Sequence, residues 1–309
     1  MRGGLSLRPT YYEALRRLTL QLAGVQMGSD HAFLVETRLA GLARAEGFDS
    51  LDAMIEELFA VGQSRLALHV VSALVERDSH FNRDPASLDA LFGTALPDIV
   101  AKRGGGRIDM LSYGCGSGQD VYSAAIRARR PDAAAMLAPV ALHIKGVDYP
   151  SQALDRARTG RYTHFEIQRG LSARDMIAHF TPDPASGSSD WIAADHLREN
   201  VTFQDMHLLS GSSEADAFHV VMFRGAIGDY AQTARFRVVR TLTTLLRPNG
   251  YLVLGSGEDL GEVHPGLDRV ADRPGLYRRR EVVRMEEPVG KQPTGRTTFD
   301  GAKARRAAG

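Results

Sequence analysis

The chain has 309 residues and a mass of 33.7 kDa, enough for about two domains. Apolar residues make up 43% and charged residues 24%, as in soluble globular proteins, and 38 Lys and Arg against 37 Asp and Glu leave a net charge of +1, no footprint for nucleic acid. One cysteine excludes an internal disulfide framework and an all-cysteine metal site, and neither a signal-peptide core nor an uncharged apolar stretch of about 18 residues is present, so a cytoplasmic protein without membrane insertion is expected.

The first hundred residues carry helical spacing. Residues 11–25 carry apolar Leu15, Leu18, Leu20 and Leu22 with Arg16 and Arg17 on another face, and residues 31–45 place Phe33, Leu34, Leu39, Leu42 and Ala43 at near-helical spacing. Gly47 stops that pattern, and Asp49 or Ser50 is positioned to cap a helix bearing the apolar stripe Leu51, Met54, Ile55, Leu58 and Phe59. Residues 65–75 predict a buried helix, and a further helix is expected over 86–101, with a break at KRGGG (102–106). From Arg107 the pattern becomes strands alternating with helices. Strands are predicted at 108–113, 140–147, 217–223 and 251–255, the last after a turn at 247–250. Helices are predicted from the glycine-rich turn through Arg129, over 151–158 and over 233–246. Such alternation predicts a parallel sheet covered on both faces. Residues 160–200 break the alternation and predict an insertion of short strands. The polar stretch after Arg280 predicts disorder over 281–309.

The first predicted strand runs into GCGSG (114–118), and the second ends at Asp148. Glycines at 114, 116 and 118 let backbone approach a ligand, and a carboxylate at the neighbouring strand end can accept both hydroxyls of a ribose. The pair fits a dinucleotide site or an S-adenosylmethionine site. GxGxG in place of GxGxxG, and a helical region before the first strand, favour S-adenosylmethionine. Cys115 reads as a packing residue. The ten histidines show no metal-binding spacing, so no metal is expected.

SHFNR (79–83), GCGSGQDVYSAAI, VDYPSQALDRARTGRY, FHVVMFRGAI and LLRPNGYLVLGSGEDL occur in one order. Over about residues 22–279 the chain resembles the chemotaxis receptor methyltransferase (CheR) family. The resemblance implies an α/β architecture: a Rossmann-like class I methyltransferase domain (107–280) with a small antiparallel β insertion at about 160–200. An all-α N-terminal domain (1–85) and a linker helix (86–106) precede it. It implies S-adenosyl-L-methionine as cofactor and transfer of its methyl group to glutamate side chains of a chemoreceptor or related helical signalling protein. It also implies roles for individual residues. Arg83 falls near cofactor and reaction centre, and Ser79 at a cofactor-contacting threonine. Gly118, Gln119 and Asp120 stand at the family's GEE and Asp148 at the ribose-binding acid. His207 and Leu208 match a pair contacting the adenine, and Phe223 and Arg224 a Cys-Arg pair. Without gaps, Asp229 stands at the family's catalytic tyrosine and Tyr230 at the next position. A slipped loop presenting Tyr230, or an Asp229 facing solvent, reconciles the two. A signalling module without catalysis, and a methyltransferase with another acceptor, remain the alternatives.

Overall fold

The computed structural model describes residues 7–28, 32–62, 65–75, 79–149, 151–183, 189–206, 214–261 and 266–281. The expected disordered tail lies almost wholly outside them.

Four helices open the chain: α1 (Pro9–Ala23), α2 (Ala32–Ala45), α3 (Leu51–Val61) and α4 (Arg65–Val75). Ser50 caps α3 by accepting the Ala53 N–H, and the apolar stripes of the four helices close on one core around Leu15, Leu39, Met54 and Ile55. A helical rod follows, α5 (Pro85–Ala90), a π-turn (Leu91–Ala95) and α6 (Leu96–Arg103). The rod therefore reaches past the predicted end at 101. Gly104, at φ 69°, terminates it.

Among the described residues, ten strands follow in two sheets. The large sheet has the order β6 (Val201–Asp205), β2 (Val140–Asp148), β1 (Gly106–Tyr113), β7 (Phe218–Met222), β8 (Leu246–Val253), β10 (Leu276–Arg279), β9 (Leu267–Arg269). The first five are parallel, and β10 runs antiparallel to both its neighbours. This is the expected Rossmann-like sheet, with three strands, β6, β9 and β10, that the sequence reading did not find. Strand order reverses between β1 and β7, and there the crossovers on either side leave a cleft at the carboxyl ends of the strands. The turn predicted at 247–250 lies inside β8. There the register jumps from Phe218↔Leu246 to Val220↔Tyr251, and Asn249 takes a φ of 64°.

Helices α7 (Gln119–Ala128) and α8 (Pro131–Leu137) join β1 to β2, and α9 (Gln152–Thr159) follows β2. Helix α13 (Gln232–Leu245) joins β7 to β8. One face of the sheet is covered by the rod, α7 and α8. The other is covered by α13 together with Ala23, Val25 and Val71 of the N-terminal helices. The insertion is a three-stranded antiparallel sheet, β3 (Arg161–Tyr162), β5 (Trp191–Ala193), β4 (Phe180–Pro182). It also carries three short helices, α10 (His164–Gln168), α11 (Ala173–His179) and α12 (Asp195–Arg198), where short strands alone were expected. Phe81 seats it: the ring meets Tyr162 and Phe180 edge-on, and a Cβ on Gly170 would stand 1.9 Å from the Phe81 carbonyl oxygen. At the far end of the sheet the β9–β10 turn presses on the chain leaving β8. Gly275 accepts the Leu254 N–H, and a Cβ on Gly275 would stand 2.5 Å from the Gly255 oxygen.

Candidate functional site

The glycine-rich turn and the strand-end acid are in direct contact. Gly114, Gly116 and Gly118 all have positive φ (69°, 53° and 90°), which side chains rarely tolerate. Gly114 and Cys115 donate their N–H groups to the Val147 oxygen, drawing the turn over the end of β2. Asp148 then accepts the Gly116 N–H on Oδ2 at 2.6 Å and the Tyr149 N–H on Oδ1 at 2.7 Å. The carboxylate is thus fixed beside the turn. A crevice of about 660 Å³, including its solvent-open mouth, lies over this junction. Ser79, Arg83, Tyr113, Gly114, Gly116, Asp148, Tyr149, Arg224 and Tyr230 contribute to its lining. Burial, then the charges of Asp148 and Asp120, hold the Cys115 thiol well above its usual value, so it is a neutral packing group.

A charge cluster closes one wall. The Arg224 side chain is 1% exposed and grips the Asp120 carboxylate with Nη2 at 2.6 Å and Nε at 3.3 Å. Its Nη1 donates to the oxygens of Arg83 and Asp84 and to Ser87 Oγ. Arg83 reaches Asp120 at 3.4 Å and donates to the Arg224 oxygen at 2.9 Å. Two guanidinium groups therefore face the Asp120 carboxylate, Arg224 enclosed and Arg83 partly exposed. Gly225 permits the arrangement, because a Cβ there would stand 2.8 Å from Arg83 Nη1.

Beyond Arg224 the chain forms a loop over residues 225–230. Asp229 is exposed, and Tyr230 is 5% exposed and lines the crevice. The Tyr230 ring packs on Phe223 with centroids 5.9 Å apart. Two supports hold the loop. Gln26 donates its N–H to the Asp229 oxygen and Ala231 to the Gly24 oxygen, with a bridge between Val25 and Tyr230. At the loop's start, Glu258 accepts the N–H groups of Gly225, Ala226 and Ile227.

Of the residues singled out from sequence, Ser79, Arg83, Gly114, Gly116, Asp148, Arg224 and Tyr230 meet at the crevice. Four stand apart from its lining. Gly118 starts α7 and faces Ala157, Phe203 and Tyr162, where a Cβ would sit 3.0–3.2 Å away. Gln119 is buried and accepts a bond from Ser117 Oγ. Asp120 is committed to the arginines, and Phe223 lies in the core under the sheet. His207 and Leu208 lie outside the described residues. Tyr113 and Tyr149 line the crevice and were not anticipated, although both directly flank the signal residues, one before Gly114 and one after Asp148. Among the described residues, no group of three or more His, Cys, Asp or Glu could hold a metal, and no helix is long and apolar enough to cross a membrane.

The sequence model of the CheR methyltransferase SAM-binding domain matches residues 77–272, well over half of the chain. The chain belongs to the CheR methyltransferase family. A chemotaxis protein methyltransferase of Pseudomonas putida, Cher2, is 25% identical over 86% of this chain and 96% of its own length. Chemotaxis protein methyltransferase 1 of Pseudomonas aeruginosa is 26% identical over 87% and 97%. The Vibrio parahaemolyticus chemotaxis protein methyltransferase is 24% identical over 86% and 94%. This CheR protein is thus an S-adenosylmethionine-dependent methyltransferase with a class I fold, and the dinucleotide alternative falls away. The crevice fits that cofactor on its own terms. The glycine turn offers side-chain-free backbone, Asp148 brings a carboxylate of the kind that could accept sugar hydroxyls, and Tyr113 and Tyr149 add aromatic surface.

Proposed function

We propose that this CheR protein transfers the methyl group of S-adenosyl-L-methionine to glutamate side chains of a chemoreceptor or related helical signalling protein. Tyr230 in the crevice wall together with the partly exposed Arg83 guanidinium is the observation that carries the reading. In this reading Asp148, Gly114 and Gly116 hold the adenosyl end, Ser79 borders the same crevice, and Arg83 and Tyr230 face the acceptor. A glutamate side chain, with a reference pKa of about 4.3, arrives ionised and needs no general base. What it needs is orientation and partial removal of water. Arg83 provides the first as a charge-assisted donor, and the packed ring of Tyr230 provides the second. The bound cofactor supplies an electrophilic methyl on its sulfonium. An exposed Asp229 leaves the incoming carboxylate unopposed; pointing inward, it would repel that carboxylate by about 1–4 kcal/mol at 4 Å.

The test is incubation with methyl-labelled cofactor and chemoreceptor fragments from the same organism. A base-labile methyl ester on glutamate is the expected product. Its absence on every fragment, with S-adenosylhomocysteine still bound in calorimetry, would overturn the receptor substrate and leave the cofactor site intact.

A further inference from the structure

We infer that Glu258 is a positioning residue for methyl transfer, and that the turn it closes sets the spacing between Arg83 and Tyr230. The inference rests on the reading above, in which those two side chains face the acceptor.

Glu258 lies past the end of β8, outside the crevice lining. Its carboxylate nevertheless accepts four backbone N–H groups. Oε2 takes Gly225 at 2.6 Å and Gly255 at 2.8 Å; Oε1 takes Ala226 at 2.7 Å and Ile227 at 2.9 Å. Three of the four belong to the loop that ends in Tyr230. The carboxylate thus supplies acceptors for three consecutive backbone N–H groups at the start of this loop. The carboxylate packs closely on Gly255, where a Cβ would stand 2.9 Å from Glu258 Oε2.

The same turn is tied to the opposite wall. Ser256 donates its N–H and its Oγ–H to the two oxygens of Asp84, each at 2.6 Å. Asp84 directly follows Arg83 and sits at a φ of 49°, a strained value for a residue with a side chain. Burial raises its pKa, but the bonds from Ser256, the Ser87 contact and the charge of Arg224 outweigh that and bring it below the usual carboxylate range. Two carboxylates, Asp84 and Glu258, thus pin one short turn between the arginine wall and the tyrosine loop. A carboxylate holding amide donors is stiff and directional, which is what in-line transfer demands of its frame.

Glu258→Gln keeps size and presents an NH2 to two of the four donors. The expected result is a fall in kcat of roughly 10–100-fold with chemoreceptor fragments as acceptor, with the KM for S-adenosylmethionine moving less than about 3-fold. In a Tyr230→Ala background the further loss from Glu258→Gln should shrink below about 3-fold, because the ring that the loop presents is already gone. Wild-type kcat in Glu258→Gln, or the same loss with and without Tyr230, would overturn the inference. Amide hydrogen exchange on the wild-type protein is an independent arm that needs neither acceptor nor variant. The exposed Gly225 amide, with those of Ala226 and Ile227, should be protected, and exchange at the unprotected rate would overturn the inference. Where wild-type protein transfers no methyl group to any fragment, the substrate reading fails while the exchange result still decides whether Glu258 holds the loop.

Discussion

Arg83 and Arg224 look alike in sequence and differ in what surrounds them. Arg224 is fully enclosed and neutralises Asp120, so removing it leaves a buried carboxylate with only the longer 3.4 Å contact from Arg83. Arg224→Ala should therefore cost stability, about 3–5 kcal/mol, seen as a lowered denaturation midpoint. Arg83 is partly exposed and faces the crevice, so Arg83→Ala should spare the midpoint to within about 1 kcal/mol and depress turnover. Equal midpoints for the two variants would show that the assignment is wrong. Much of this region was legible as residues, since Arg83, Asp120, Arg224 and Tyr230 all attracted notice. Their division of labour was not, because it depends on which side chain is enclosed. Glu258 escaped notice as a site residue for a different reason. Three of its partners are backbone amides more than thirty positions earlier, and amides leave no mark on residue type.

At the scale of elements, strands with both faces covered announced themselves, and edge pieces did not. β1, β2 and β7 are apolar runs, whereas β6 has only partly buried or exposed residues and β9 and β10 are short. The insertion's helices are too brief to show a period. The junction of β1 and β7 has its own chemistry. Where their ladder ends, His219 Nδ1 accepts the Asp109 N–H at 3.0 Å, which requires a neutral ring. Burial first, then repulsion from Arg247 and Arg103, lowers its pKa to about 4. The unfolded chain takes up that proton near pH 6.5, so the unfolded state binds more protons below that value. Stability should be full above pH 6.5 and fall as pH drops toward 4, by up to about 3 kcal/mol. His219→Gln should flatten that part of the pH–stability curve in chemical denaturation. An identical slope in the variant would place the titrating group elsewhere.

The whole molecule joins a helical region to a methyltransferase sheet through the site itself. Residues 24–26 pair with residues 229–231, so the loop bearing Tyr230 rests on the turn after α1. A change in how the N-terminal helices sit is felt directly at the crevice wall. Gln26→Pro deletes the N–H that Asp229 accepts. Turnover should fall by roughly 3–10-fold while S-adenosylhomocysteine affinity is retained, because Asp148 and the glycine turn are untouched. Loss of cofactor affinity in parallel, measured by calorimetry, would mean the two halves of the crevice are not separable. Overall topology was readable from the alternation of apolar runs, but this pairing was not, since main-chain contacts between distant segments have no signature in residue type.

The hairpin turn at Gly275 bears on anyone who trims this protein. It lies far downstream of the residues that line the crevice, yet it clamps the backbone at 254 and 255 from which Glu258 hangs. A shortened form ending ahead of β9 would retain all the lining side chains and forfeit the buttress behind them. Expression boundaries are accordingly dictated by the carboxyl end, some forty positions past the last residue of the pocket.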